Sequence, residues 1–337
     1  MVAHGASRDA FFSLNQFGPE LACAMQNRSK RGRVGKRRLV AAGFRGGRLF
    51  PLLAVLIASQ AHAQTFTTLH AKLRATRTSP LDLELAGDLA NLPPNSTRYL
   101  TREDLLALPQ VRYTVANDTN FTGPTQISGV SLEELARQLA AAPASDLTVT
   151  VCDDQYRANY PRAYMAAHRP VLVLKVNGQP PSGWPKDAEG HNLGMGPYLI
   201  SDPNFTPSFK ILGRSEEPQN PWGVVRLEFR DQAAVFGAIA PLGPQAQDPQ
   251  VQAGYGLAQQ NCFRCHNMGA EGGHKAGRPW LVLSAWAAAQ PDYFAAYIHN
   301  PRGKNPNAQM PSFPEYDDAT IRALIAYFQT FTAREKP

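Results

Sequence analysis

Apolar and polar residues alternate in short runs through the first 240 residues of the chain. Runs of five or six residues rich in valine and leucine are typical of strands with a buried face. Two other stretches show helical spacing: 101–107, capped by Thr101, and 131–141, where Ser131 is the N-cap and Glu134 completes a capping box. The pattern predicts an α+β region with strands at 81–85, 111–115, 147–151, 171–176 and 224–229.

The period changes beyond residue 250, where apolar residues recur at the spacing of helices. One predicted helix runs into Cys262, a second covers 291–299 and a third covers 317–331. The segment 241–250, PLGPQAQDPQ, is rich in proline and glutamine and has no apolar period, which indicates a linker. We therefore predict an α+β domain at 64–240 and an all-α domain at 251–337.

The most specific motif is C-x-x-C-H, formed by Cys262, Cys265 and His266. Two thiols about one helical turn apart can bond to both vinyl groups of one porphyrin, and the adjacent imidazole then ligates the iron. A thioredoxin-like C-x-x-C follows a strand, and a structural zinc site needs four ligands. A helical pattern precedes Cys262 and no second closely spaced cysteine pair follows, so the motif predicts covalent haem c.

The first 63 residues differ from the rest of the chain in charge. They contain ten of the 34 basic and two of the 27 acidic residues, so the remainder has 24 basic and 25 acidic residues. The net charge of +7 is therefore located in this segment, and nucleic acid is not an expected partner of the mature protein. The apolar run 49–59 and the A-x-A site ending at Ala63 predict a cleaved export signal, with Met25 as an alternative start.

Export agrees with the haem prediction because c-type haem is attached outside the bacterial cytoplasm. We therefore expect a periplasmic or otherwise exported protein. The eleven residues of the apolar run are fewer than the 20 or so that span a bilayer, so no transmembrane segment is expected after cleavage. A leader that is retained as a membrane anchor is the alternative.

Residues 251–337 resemble class I cytochromes c, which are small helical electron carriers with one haem. Gly254 stands where the family's N-terminal helix is crossed closely by the C-terminal helix, and Tyr327 and Phe328 are placed for the aromatic contact at that crossing. Gly277 and Pro279 belong to a stretch like the family's G-x-P-x-L loop. The resemblance implies that the Pro279 carbonyl accepts a hydrogen bond from the proximal histidine, which would orient that ring.

The polar segment 305–313, NPNAQMPSF, resembles the methionine-ligand loop of the same family. The resemblance implies that Met310 is the distal iron ligand opposite His266. His274 and His299 are alternatives that would give bis-imidazole ligation and a lower potential, and an open distal position is a third reading. With both axial positions filled, the expected activity is one-electron transfer to redox partner proteins.

The order of predicted elements at 81–229 resembles the molybdopterin-binding domain of the sulfite oxidase family, with 153–156 in place of its D-G-Y motif. That family has its molybdenum-ligating cysteine in the loop after the strand that matches 111–115, and the loop contains none here. Cys152 follows a later strand, and Tyr198 stands where the family often has arginine. Without the thiolate, the resemblance implies the fold of the family but not its molybdenum.

The sequence as a whole predicts an exported monohaem c-type cytochrome fused to a module that resembles a molybdopterin-binding domain. The alternative is a molybdopterin-dependent oxidoreductase, acting on sulfite or another small oxyanion, that passes electrons to its fused haem. We interpret Cys152 as a buried apolar thiol. Asp153, Asp154 and His191 either line a pocket or cap turns.

Overall fold

A nine-stranded mixed sheet organises the first part of the computed structural model. The structure describes residues 72–116, 118, 120–141, 145–185, 194–203 and 219–332. Its first elements are β1 (Leu83–Gly87), β2 (Arg98–Leu100), α1 (Arg102–Ala107), β3 (Val111–Val115), β4 (Thr125–Ser131), α2 (Leu132–Leu139), β5 (Leu147–Cys152), β6 (Arg157–Pro161), α3 (Arg162–His168), β7 (Val171–Val176), β8 (Tyr198–Ser201), β9 (Trp222–Arg230) and α4 (Gln232–Gly237).

The strands follow the order β2-β1-β9-β8-β7-β4-β3, and β5 pairs with both β9 and β6. Only the pairing of β1 with β9 is parallel among the strands described. The five predicted strands are all present. The pattern missed β2, β4, β6 and β8, which are short or contain polar and glycine residues that weaken the apolar alternation. The predicted leader at 1–63, including Met25, lies outside the described residues.

The predicted N-cap positions, Thr101 for α1 and Ser131 for α2, are confirmed, but the capping box predicted for α2 does not form. The Thr101 hydroxyl accepts from the Asp104 backbone N–H at 3.1 Å, and the Asp104 carboxylate accepts from the Thr101 N–H at 3.2 Å. The Ser131 side chain makes no capping bond because Ser131 is the last residue of β4 and pairs with Val171. The Glu134 carboxylate turns away from Ser131 and accepts from the Arg137 side chain.

These two caps predict different costs for the same type of substitution. Thr101→Ala is expected to lower the free energy of unfolding by about 1 kcal/mol, because it removes a hydrogen bond to the first turn of α1. Ser131→Ala, the matched control, removes no such bond and is expected to cost less than about 0.5 kcal/mol. Urea denaturation of the two variants checks this difference. Equal losses would show that the α1 cap contributes nothing particular to stability.

The central strand β5 is buried along its whole length because helices cover both faces of the sheet. Leu147, Val149 and Val151 pack on one face, in a cluster that continues into the helical part of the chain through Val251. Cys152, at the end of the strand, belongs to the core on the other face with α1, α2 and α3. One cluster therefore joins the sheet to the residues beyond 250, and the predicted boundary at 241–250 stays a prediction.

The helical part begins with α5 (Pro249–Leu257), whose proline stands at the first turn and whose Asp248 caps it. No helix in the described residues is long and apolar enough to cross a membrane. After a π-helical turn at Ala258–Cys262 come β10 (Asn267–Met268), β11 (Glu271–Gly272), α6 (Trp280–Ala289), α7 (Pro291–His299), α8 (Pro301–Lys304) and α9 (Asp318–Gln329).

The predicted close crossing of α5 and α9 is confirmed. A Cβ atom at Gly254 would lie 2.1 Å from the Ala323 carbonyl oxygen, so only glycine lets the two backbones approach this closely. The neighbouring Tyr255 ring stacks on Tyr327 with 5.7 Å between ring centroids. The Tyr327 hydroxyl also donates to the Ile239 carbonyl at 2.6 Å, which fastens α9 to the segment after α4.

Candidate haem site

A cavity of about 410 Å³ in the helical part brings together four residues that the sequence singled out. Cys262, Cys265 and His266 line it, and so does Met310, which is far from them along the chain. Most of the remaining wall is apolar, with Leu283, Trp286, Phe294, Ile298, Leu324 and Phe328 among the lining residues. The cavity therefore combines two thiols, an imidazole and a thioether in a largely apolar environment, which fits a covalently bound haem.

The two cysteines reach the cavity from the end of the helix that α5 begins. The π-helical turn at Ala258–Cys262 is followed by a tight turn, in which the Cys265 and His266 N–H groups both donate to the Cys262 carbonyl, at 3.2 and 2.9 Å. Burial raises the pKa of the Cys262 thiol to about 12 and also raises the pKa of Cys265. Both free thiols are therefore protonated at neutral pH.

The imidazole of His266 is held by a backbone carbonyl, but not by the predicted one. His266 Nδ1 lies 2.7 Å from the Arg278 carbonyl oxygen. The assignment of this bond to Pro279 was wrong: Pro279 is the N-cap of α6, and its carbonyl accepts from the Val282 N–H at 2.9 Å. The acceptor is the preceding carbonyl, which the helix does not use.

Burial also determines the protonation state of His266, which is 8% exposed. Burial lowers the pKa of its ring, so the imidazole is neutral at pH 7. With the Nδ1 proton donated to the Arg278 carbonyl, the lone pair of Nε2 remains available to a metal ion. The ring therefore has the protonation and the orientation of an iron ligand.

The loop that contains Met310 is fixed by backbone hydrogen bonds on both sides. The Ala308 N–H donates to the Asn305 carbonyl at 2.9 Å, and the Phe313 N–H donates to the Ile298 carbonyl at 3.1 Å. Met310 is partly buried and packs against the core of the helical part. Its thioether is therefore held at the cavity wall by the chain on either side.

The two histidine alternatives do not share this position. Neither His274 nor His299, both in the described part of the chain, lines the cavity. His299 directs its Nδ1 toward the Phe313 carbonyl at 3.2 Å. Of the three residues considered as the distal iron ligand, all of them among the described residues, Met310 is thus the one that lines the cavity.

The sheet part also reaches the cavity, which the sequence did not reveal. Tyr156, at the turn between β5 and β6, is one of the lining residues, and its hydroxyl accepts from the Arg264 guanidinium at 3.2 Å. Asp154 accepts from the Tyr156 N–H at 3.0 Å, as the turn-capping interpretation predicts, and it also pairs with Lys275. His191 lies outside the described residues. The sequence could not predict that the sheet part contacts the cavity, because Tyr156 and Arg264 are distant in sequence and meet only in the folded chain.

The described residues of the sheet part do not supply the thiolate that a molybdenum site of the sulfite oxidase type needs. Cys152, at the end of β5, is 2% exposed, and burial raises the pKa of its thiol. It lies in the apolar core, as the buried-thiol interpretation predicts. Tyr198, in the place of the family's arginine, is also buried and donates its hydroxyl to the Leu81 carbonyl at 2.5 Å.

A buried polar network lies near the end of β8. The Asp202 carboxylate accepts from the Tyr164 hydroxyl and, at 3.0 Å, from the Gln219 N–H. Asp118, in the loop after β3, accepts from the Ser201 hydroxyl. Burial, partly opposed by the bond from Tyr164, raises the pKa of Asp202 to about 6. The carboxyl of Asp202 is thus protonated in the folded protein at a pH where it is ionised in the unfolded chain.

This shift predicts a pH dependence of stability. As pH rises from 3.8 to about 6, Asp202 ionises in the unfolded state before it does in the folded state, so the protein loses stability through this window. The loss amounts to about 3 kcal/mol. Asp202→Asn removes it, so on lowering the pH from 7 to 4 the wild type should gain about 2 kcal/mol of stability relative to the variant. Urea denaturation at both pH values tests this, and parallel profiles would contradict it.

Comparison with known proteins supports the assignment of the helical part. Residues 249–328 match the model of a family described as cytochrome c oxidase, cbb3-type, subunit III. No curated protein sequence matches the chain. The crystal structure of the sulfane dehydrogenase SoxCD from Paracoccus pantotrophus is similar with a TM-score of 0.31 and 14% identity, over 51% of this chain and 45% of that chain. This chain therefore spans less than half the length of that chain. The protein is a mixed α+β chain in which residues 249–328 form a cytochrome c domain.

Proposed function

We propose that the protein is a monohaem c-type cytochrome that transfers single electrons. Cys262 and Cys265 would hold the haem covalently, and His266 and Met310 would ligate its iron. The observation that supports this most strongly is that all four side chains line one cavity. A bound haem of this kind supplies one-electron chemistry between ferric and ferrous iron.

The residues of the chain have clear tasks in such a site. The Arg278 carbonyl orients the imidazole of His266 and raises its basicity as a ligand. The hydrogen bonds on either side of Met310 would hold its thioether in place as the second protein ligand. The apolar walls keep water away from both, which limits the reorganisation that accompanies a change of charge. With two protein ligands, no position is left for a substrate on the metal.

We also propose that the protein is exported and meets its redox partners in the periplasm. The support is the basic, then apolar leader with its A-x-A site, together with the requirement of haem attachment outside the bacterial cytoplasm. The nearly neutral charge of the rest of the chain supports protein partners rather than nucleic acid.

For the sheet part we propose the fold of the sulfite oxidase type without its molybdenum. The described elements α1, β3, α2, β5 and β7 follow the order on which the resemblance rests. The alternative function, a molybdopterin-dependent oxidoreductase that passes electrons to its haem, requires a metal ligand other than the family's cysteine. The segment 116–128, between β3 and the middle of β4, contains no cysteine to fill this role.

Elemental analysis of the full chain, exported in a host with cytochrome c assembly factors, separates the two functions. We expect about one iron per chain and no molybdenum or pterin. Stoichiometric molybdenum would overturn the proposed carrier in favour of the oxidoreductase. A protein without iron would overturn both.

A further inference from the structure

The turn between β5 and β6 is fastened to the haem-binding segment on both of its sides. The Arg157 N–H donates to the Arg264 carbonyl at 2.8 Å, and the His274 N–H donates to the Gln155 carbonyl at 3.1 Å. Backbone hydrogen bonds of this kind do not depend on side-chain rotamers. The turn at 153–156 therefore has a fixed position relative to the C-x-x-C-H motif.

A pair of opposite charges joins the same two segments at the cavity. Lys275 is a lining residue, and its ammonium group pairs with the carboxylate of Asp154 in the turn. The Lys275 nitrogen also lies 5.8 Å from the centre of the Tyr156 ring, which lines the cavity too. The cation belongs to the helical part and the anion to the sheet part, so the net charge at this wall depends on both.

We propose that the turn at 153–156 is part of the haem site and that Asp154 lowers the reduction potential of the haem by balancing Lys275. This inference rests on the proposed function of the cavity. Reduction adds one negative charge to the site, so a nearby cation favours the reduced form and a nearby anion favours the oxidised form. The sheet part therefore tunes the electron-transfer site rather than only supporting it.

The exposure of the pair determines how this effect responds to salt. The side chains of Lys275 and Asp154 are 38% and 46% exposed, so solvent and ions screen part of their charge. Screening grows as the Debye length falls from about 30 Å at 0.01 M to about 8 Å at 0.15 M ionic strength. The influence of Asp154 on the potential is thus largest at low ionic strength.

The test is the midpoint potential of the full-length haem protein, measured at low and high ionic strength. Asp154→Asn keeps an oxygen that accepts from the Tyr156 N–H but loses the charge, and we expect its potential to rise. Lys275→Gln should lower the potential, whereas the charge-preserving Lys275→Arg and Asp154→Glu should keep it near wild type. Both shifts should shrink at high salt.

Glu134→Gln is the control, because Glu134 also forms a partly exposed ion pair, with Arg137 on α2, and does not line the cavity. It should leave the potential unchanged. The inference is overturned if Asp154→Asn shifts the potential no more than this control does, or if Asp154→Glu shifts it as much as Asp154→Asn. Should Asp154→Asn fail to fold, Asp154→Ser removes the same charge and must give the same rise. A wild-type protein without c-haem absorbance would instead overturn the proposed function.

Discussion

Replacing Met310 with alanine is expected to lower the reduction potential of the haem protein by roughly a few tenths of a volt, because axial ligands set haem potentials over a range of about 0.8 V. The thioether stabilises ferrous iron, and alanine offers no ligand in its place. The proposed covalent bonds to Cys262 and Cys265 do not involve Met310, so the haem should stay attached. Potentiometric titration followed by absorbance measures the shift.

The distal position should also become accessible in this variant. Reduced Met310→Ala is expected to bind carbon monoxide, whereas the wild type, in which we propose that His266 and Met310 both ligate the iron, should bind it poorly. Met268→Ala is the matched control, because Met268 also packs against the core of the helical part but does not line the cavity. A Met310→Ala protein with the potential and carbon monoxide affinity of wild type would contradict the ligand assignment.

Substitution of Gly254 by alanine is expected to destabilise the protein by about 1 to 3 kcal/mol. The new Cβ would lie 2.1 Å from the Ala323 carbonyl oxygen and 2.7 Å from the Tyr327 Cβ, so α5 and α9 must move apart. That movement weakens the packing of Tyr327 and Phe328, both fully buried at the crossing. Denaturation of the haem protein, followed by circular dichroism, measures the loss.

Gly256, on the same helix, provides the control. A Cβ atom there would meet no atom within 4 Å, so Gly256→Ala encounters no clash. Alanine is favoured over glycine in a helix by up to about 1 kcal/mol, and this variant should be as stable as wild type or more so. Equal stabilities of Gly254→Ala and Gly256→Ala would contradict the close crossing of α5 and α9 at Gly254.

Local patterns predicted the elements whose signal lies in neighbouring residues. The helix over 291–299 has the bounds of α7, and glycine at 254 correctly indicated a close helix crossing. The pattern missed α6 because its sequence, WLVLSAWAAA, is apolar on all sides and shows no polar face. A continuous apolar stretch contains no period from which a helix can be distinguished.

In the candidate site, too, some features have a local sequence signal and others depend on tertiary packing. The cysteine spacing is a local signal, and Met310 was predicted from the resemblance of its loop to a methionine-ligand loop; the structure places these residues at one cavity. The acceptor for His266 was placed one residue too late, because the choice depends on where α6 begins and hence on which carbonyl the helix uses. The approach of Tyr156 and Asp154 depends on the tertiary packing of the sheet against the haem-binding segment, for which the sequence contains no local signal.

The most direct test of the haem assignment is the intact mass of the exported full-length chain after complete denaturation. We predict the mass of the processed chain plus one haem, with absorbance of haem c in the denatured protein. The double variant Cys262→Ser and Cys265→Ser should have the mass of the chain alone. A wild-type chain that shows no added haem, although a known c-type cytochrome matures in the same host, would contradict the account.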